Sequence, residues 1–263
     1  MNTYPLVLAD SATMLRRNLR RMRRYPSMTL FIAGIPVVLL LLFVFVFGGT
    51  LGAGLGPGAG GRSAYVAYVV PGILLITVAS AAQGTAISVA MDMTEGIIAR
   101  FRTMDIARAS VLSGHVVGSV IQTMLAAAIV MAVAVLIGFR STTGPIQWAV
   151  ATGLLVLAAV AISWLSVALG MVSKSVETAS NLPMFLILLP FMSSGFVPTG
   201  SMPDGLSWFA EHQPFTPLIE TVRGLLVGTP IGDSGLVAVG WCVVTTVAAH
   251  LWARRLYDRE PAS

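Results

Sequence analysis

Ala109–Phe139 reads ASVLSGHVVGSVIQTMLAAAIVMAVAVLIGF and contains no Asp, Glu, Lys or Arg. A helix crossing the hydrocarbon core needs about 20 mostly apolar residues, and a charge at its centre costs about 2.5–3.5 kcal/mol on insertion. The stretch meets both conditions. After the lone Arg140 the pattern resumes over Ser141–Ser173. Four further runs are equally free of charge: Ser27–Gly61, Ser63–Met91, Thr178–Pro203 and Ser234–Ala253. Hydrophobic residues make up 56% of the chain and charged residues 10%. These runs predict an all-α polytopic membrane protein with six transmembrane helices.

Over 263 residues, six spans and their connections use nearly the whole chain, leaving no room for a soluble catalytic domain. One membrane domain is expected over 1–263: an amphipathic N-terminus to residue 26, a six-span region over 27–253, and a tail over 254–263. Spans two to four are placed at Val66–Met91, Ser113–Ile137 and Gln147–Val172. The fifth runs Leu182–Val197, with Pro183 near its start and Pro190 as a kink. The sixth is Ser234–Trp252. Between the first two, Gly48–Gly61 holds eight glycines and a proline and reads as a flexible loop with no packed element.

Charge placement sets the orientation. Six spans put both termini on one side. That side carries Arg16, Arg17, Arg20, Arg21, Arg23, Arg24, Arg100, Arg102, Arg108, Lys174, Arg254, Arg255 and Arg259; the other carries Arg62, Arg140 and Arg223. The positive-inside rule assigns both termini to the cytoplasm. The net charge of +5 then reflects topology and contact with anionic lipid, not nucleic acid. Cys242 is the single cysteine, so no internal disulfide or cysteine-based metal cluster is expected.

The N-terminal tail places Leu8, Ala12, Leu15, Leu19 and Met22 on one helical face among the arginines. This reads as an interfacial helix, or more simply as a charge cluster that stops translocation. The connection after span two, DMTEGIIARFRTMDIARASVLSGH (Asp92–His115), aligns Ile97, Phe101, Met104 and Arg108 on one face. It is a membrane-surface segment or a docking helix for a cytoplasmic partner, and the residues alone leave both open. On the far side, Pro203 can open a short helix through Glu211, with Phe209 in its apolar part. Thr216 is placed as N-cap with Pro217 at the first helical position. A helix Leu218–Val227 then ends at Gly228. Neither piece is long enough to span, so both read as re-entrant or interfacial. Glu220 and Arg223, spaced i, i+3, are expected to pair or to act as a gate or substrate contact.

Several activities are disfavoured by what the motifs lack. Lys174, the single lysine, is preceded by Ser173 rather than the Gly of a phosphate-binding loop, so ATP hydrolysis is not expected of this chain. No acid or base sits at mid-span, which counts against proton- or sodium-driven transport. His115, His212 and His250 are dispersed, without a metal-ligand or triad pattern. The intramembrane polar residues are uncharged. Gln83, Gln122, Ser193 and Ser194 are either interhelical glue or part of a substrate path.

Two segments resemble the ABC-2 type transporter permeases, in particular the daunorubicin-resistance-like, DrrB-type branch. In EGIIARFRTMDIARASVLSGH (Glu95–His115), the matching residues are Glu95, Gly96, Arg100, Phe101, Arg102, Met104, Ile106, Arg108, Val111, Leu112 and Gly114. In FVPTGSMPDGLSWFAEHQPFTPLIETVRGLL (Phe196–Leu226), they are Phe196, Val197, Pro198, Met202, Pro203, Phe209, Ala210, Glu211, Pro214, Thr216, Pro217, Arg223 and Leu225. Asp105 stands where the family usually has Pro, and His115 where it usually has Arg or Lys. The histidine would make the local charge pH-dependent.

The resemblance implies a permease subunit with no cofactor of its own, one of two permease copies or paralogues docked on two ATPase subunits that hydrolyse MgATP. It implies that Glu95, Ile97, Arg100, Phe101, Arg102, Met104 and Arg108 form a short cytoplasmic coupling helix. It further assigns Leu15, Leu19 and Met22 to an N-terminal interface, and Phe209, Glu211, Glu220 and Arg223 to re-entrant helices that close the outer side. The expected function is ATP-driven export of a hydrophobic drug, lipid or polyketide-like molecule across the bacterial inner membrane. Export of a polysaccharide or glycolipid, and a channel or secondary transporter without an ATPase, are the alternatives.

Overall fold

The computed structural model describes residues 26–53, 61–94 and 108–259. Helix α1 runs Pro26–Leu42, passes through a π-helical turn at Phe43–Phe47 and continues over Gly48–Ala53. Helix α2 is Gly61–Thr94, α3 is Arg108–Leu136 and α4 is Pro145–Val172. A broken segment follows: α5 (Val176–Asn181), α6 (Met184–Leu188) and a 3-10 turn at Leu189–Met192. Then come α7 (Asp204–His212), α8 (Phe215–Val227) and α9 (Ser234–Arg259). Among the described residues there is no β-strand.

Among the described residues, five helical stretches are long and apolar enough to cross a membrane: Ile32–Ala53, Gly61–Thr94, Leu112–Leu136, Pro145–Val172 and Ser234–Tyr257. The stretch expected as span five lies in the shorter apolar segment Val176–Met192. That segment stands at the lower end of the ~17–25 residues that cross a hydrocarbon core. Two prolines break it. Pro183 stands at the junction of α5 and α6, and Pro190 falls in the 3-10 turn; each removes a backbone donor. From Ser193 to Pro198 the chain is not helical.

The first six residues of the glycine-rich run after span one depart from the loop that composition predicts. Gly48–Ala53 is helical, and a Cβ on Gly52 would collide with the Gly61 backbone. Here the glycines permit a close approach between the end of α1 and the start of α2. Residues 54–60 lie outside the described part.

Helix α2 is the hub. Its spanning window is 78% buried, against 28% for α3 and 22% for α9, so the latter two leave most of their surface uncovered by this chain. It packs on α1, α3, α4, α5, α6 and α8. Lipid tails are as apolar as leucine, so packing of this kind depends on close van der Waals fit and small residues. The α2–α4 contact shows it: a Cβ on Gly170 would lie 2.6 Å from the Ala86 carbonyl oxygen.

Candidate functional site

The polar chemistry of the described residues gathers where the broken segment meets α2 and α8. After Met192 the backbone carbonyls have no helix to join, and inside a membrane each needs another donor. Three side chains supply them. The Tyr65 hydroxyl donates to Phe196 O at 3.4 Å and the Tyr68 hydroxyl to Ser194 O at 2.9 Å. The Arg223 guanidinium donates through Nη2 to Ser194 O at 2.7 Å and to Tyr68 O at 3.2 Å, and through Nε to Tyr68 O at 3.3 Å. Its Cζ also lies 3.9 Å from the Tyr68 ring centroid, within reach of a cation–π attraction. The backbone comes this close because two glycines face each other: a Cβ on Gly72 would sit 2.9 Å from the Gly195 Cα.

Helix α8 is too short to span and packs against α2, α4 and α9. Both of its ends are fixed. At its start Gln213 donates through Nε2 to Leu189 O at 3.3 Å and accepts from the Phe215 backbone N–H at 3.2 Å. Thr216 departs from its expected capping role. The helix begins at Phe215 with Pro214 in the cap position, and the Thr216 hydroxyl instead donates to Ala210 O and accepts from the Ser194 backbone N–H. It ties α7, α8 and the broken segment together. At the other end Gly228 takes the left-handed conformation at φ 82°, as helix termini commonly require. The orphan carbonyls of the last turn are met by the α3–α4 turn: Ser141 Oγ donates to Leu226 O at 2.7 Å, Thr142 Oγ1 to Val227 O at 2.6 Å and Thr143 Oγ1 to Leu225 O at 2.7 Å.

The expected Glu220–Arg223 ion pair does not form. Arg223 turns towards backbone carbonyls, while Glu220 accepts from Ser234 Oγ at 3.0 Å and joins α8 to α9. The carbonyls of Ser194 and Tyr68 take the arginine's donors instead. Of the other residues placed at this end, Phe209 is half-exposed on α7 and Glu211 accepts from Ser207 Oγ at 3.3 Å. They sit on the surface of the hairpin, apart from the buried Arg223.

The four uncharged polar residues considered for a path are not gathered in one place. Gln83 donates to Ser180 O at 2.9 Å and joins α2 to α5. Ser193 and Ser194 are buried in the broken segment, where Ser193 Oγ donates to Pro190 O and accepts from the Gly195 N–H. Gln122 lies on α3, its Nε2 buried with no hydrogen-bond partner. One turn away, a hydroxyl chain crosses three helices: Thr85 and Ser119 Oγ atoms are 2.6 Å apart, and Ser163 Oγ donates to Ser119 Oγ at 3.0 Å.

At the opposite end of the bundle, His115 Nε2 lies 3.0 Å from Asp92 Oδ2, with both side chains nearly inaccessible. The pair joins the last turn of α2 to the start of α3 and so brackets the connection between them. Glu95, Ile97, Arg100, Phe101, Arg102 and Met104 on that connection lie outside the described residues, as do Leu15, Leu19 and Met22. Arg108 opens α3. Sequence reasoning missed the two tyrosines, the hydroxyl triplet and the partner of His115. The i, i+3 spacing of Tyr65 and Tyr68 beside Pro71, and the run Ser141–Thr142–Thr143 after a span, were the available signals.

These features define a multi-pass helical membrane protein with a short helical hairpin, α7–α8, locked into one end of the bundle. Residues 11–227 match the ABC-2 type transporter family, and the chain belongs to it. The chain is 29% identical over 258 residues to the daunorubicin resistance ABC transporter permease protein DrrB1 of Streptomyces coeruleorubidus, covering 97% of this chain and 88% of that protein. It is 25% identical over 191 residues to the probable doxorubicin resistance ABC transporter permease protein DrrC of Mycobacterium tuberculosis, covering 71% of this chain and 69% of that one. The family makes it the permease subunit of an ABC exporter, a role that is not itself catalytic.

Proposed function

We propose that this permease moves a hydrophobic drug, lipid or polyketide-like molecule outward across the bacterial inner membrane, using MgATP hydrolysed on two separate ATPase subunits. The observation that carries the reading is the similarity to a daunorubicin-resistance permease along 97% of the chain. The chain works beside a second permease copy or paralogue, and both termini lie in the cytoplasm, as the basic residues favour. The Asp92–His115 end then faces the ATPases, with Glu95–Arg108 as the coupling segment. The α7–α8 hairpin closes the outer side.

The test is expression in a drug-sensitive host together with the ABC ATPase that co-purifies with the chain, followed by accumulation of a fluorescent hydrophobic drug. Reduced accumulation that disappears when the ATPase is inactivated supports the proposal. Efflux that persists without any ATPase would overturn the ATP-driven mechanism. An envelope defect on deletion, with unchanged drug sensitivity, would instead point to a glycolipid or polysaccharide as cargo.

A further inference from the structure

Between α2, α3 and α4, at the α8 end of the bundle, lies an apolar groove of about 590 Å³. This is within the ~300–1,000 Å³ usual for small-molecule sites. Leu74 forms its back, Met124, Ala128, Ala132 and Leu136 run along it, and Trp148 closes one wall. From Met124 to Leu136 the α3 wall extends about 18 Å at ~1.5 Å per residue. That is close to half of a ~30 Å hydrocarbon core, the depth of one leaflet.

Arg140 stands where the groove reaches the interface. Its Nη1 donates to Val135 O and Phe139 O, both at 3.2 Å, and Val135 itself lines the groove. Its Nε and Nη2 donate to no atom of the described residues, and the side chain is exposed. The other two arginines of this end are engaged. Arg62 lies over the Phe45 ring at 3.9 Å, and Arg223 is buried among carbonyls. The neighbouring turn is rigid: Trp148 Nε1 donates to Ser141 Oγ at 3.0 Å, and Ser141 in turn holds α8.

We propose that this groove holds one acyl chain of an anionic phospholipid whose phosphate is bound by Arg140. An alkyl chain matches the apolar lining and the one-leaflet length. A planar guanidinium with open donors suits a phosphate oxygen pair, whereas a cationic amphiphile would meet like charge. No acidic side chain lines the groove to offset that preference. The site depends on the chain being in a bilayer and not on what it transports.

The experiment is native mass spectrometry of the full-length permease in detergent, titrated with phosphatidylglycerol or phosphatidylcholine. Phosphatidylglycerol should bind about fivefold more tightly, the ratio one basic residue gives at a membrane surface. Arg140→Gln should bring it to the phosphatidylcholine level. Ala132→Phe, which fills the groove, should weaken both lipids, with both variants checked for an unchanged gel-filtration profile. Equal affinity of the parent protein for the two lipids would overturn the proposal. So would phosphatidylglycerol binding that survives both substitutions, or a spontaneous disulfide between two copies of Ala132→Cys, which would put a second permease in the groove. None of these readouts involves transport, so a wrong substrate assignment leaves the result interpretable.

Discussion

Replacing Arg223 by alanine should loosen the α7–α8 hairpin from the bundle. The guanidinium serves two carbonyls, Ser194 O and Tyr68 O, through three contacts of 2.7–3.3 Å. A hydrogen bond from a charged donor contributes about 1.5–3 kcal/mol net, so two served carbonyls set a ceiling near 3–6 kcal/mol. Two effects reduce it. Ser194 O keeps the Tyr68 hydroxyl at 2.9 Å, and removing a buried charge recovers its desolvation cost. About 2–3 kcal/mol remains. At ~2–4 °C per kcal/mol for a chain of this size, the melting temperature in detergent should fall by about 4–12 °C, followed by tryptophan fluorescence. Arg223→Lys, which keeps the charge but loses the fork, should fall about half as far. Tyr68→Phe should be non-additive with Arg223→Ala, because both side chains donate to the same oxygen. A melting temperature within about 2 °C of the parent for Arg223→Ala would refute the anchoring role.

The remaining expectations concern the other fixed points. Gly170→Ala drives a methyl against the Ala86 carbonyl, whose oxygen lies 2.6 Å from the Cβ position; overpacking of this kind costs about 1–3 kcal/mol, and an unchanged denaturation midpoint would contradict it. Asp92→Ala strips the buried His115 of a partner at 3.0 Å, with a loss of about 1–3 kcal/mol for an unmet polar group, read as faster hydrogen exchange at the α2–α3 joint. Phe101→Ala should abolish drug efflux while membrane insertion and dimerisation stay normal; retained efflux removes the coupling assignment.

The spans were legible because the membrane imposes one strong rule, the absence of charge over a helix-length run. Helices α2, α3, α4 and α9 appear where Ser63–Met91, Ala109–Phe139, Ser141–Ser173 and Ser234–Ala253 placed them. The fifth follows the same rule, but Pro183 and Pro190 break Val176–Met192 into short pieces instead of one continuous helix. Absence of charge marks what lipid tolerates, not what the backbone can form. The same distinction explains Gly48–Ala53, where composition suggested a loop and contact with α2 holds a helix. At the hairpin, the elements 204–212 and 215–227 were readable from their prolines and Gly228, but Arg223's partners were not. Local spacing favours Glu220, three residues away. The demand that decided the matter came from Ser194, 29 positions back in the chain.

Helix α2 carries a directional polar contact towards each of its ends, Tyr68 with Arg223 and Asp92 with His115. Between them, bare backbone approaches at Gly72–Gly195 and Ala86–Gly170 leave no slack for independent sliding. A displacement of the connection that follows Thr94 therefore acts on a helix already gripped along its length. Close-packed contacts of this kind move as a body or break; they do not stretch gradually. Any movement of α2 about its axis must then carry the segment Ser193–Val197, bonded to Tyr65 and Tyr68, and with it the first turn of α8, which Thr216 ties to the Ser194 N–H. The hydroxyl triplet at Ser141–Thr143 holds the far end of α8 to the α3–α4 turn. Rotation of α2 would thus pivot the hairpin about its C-terminus, opening the side near Thr216 first.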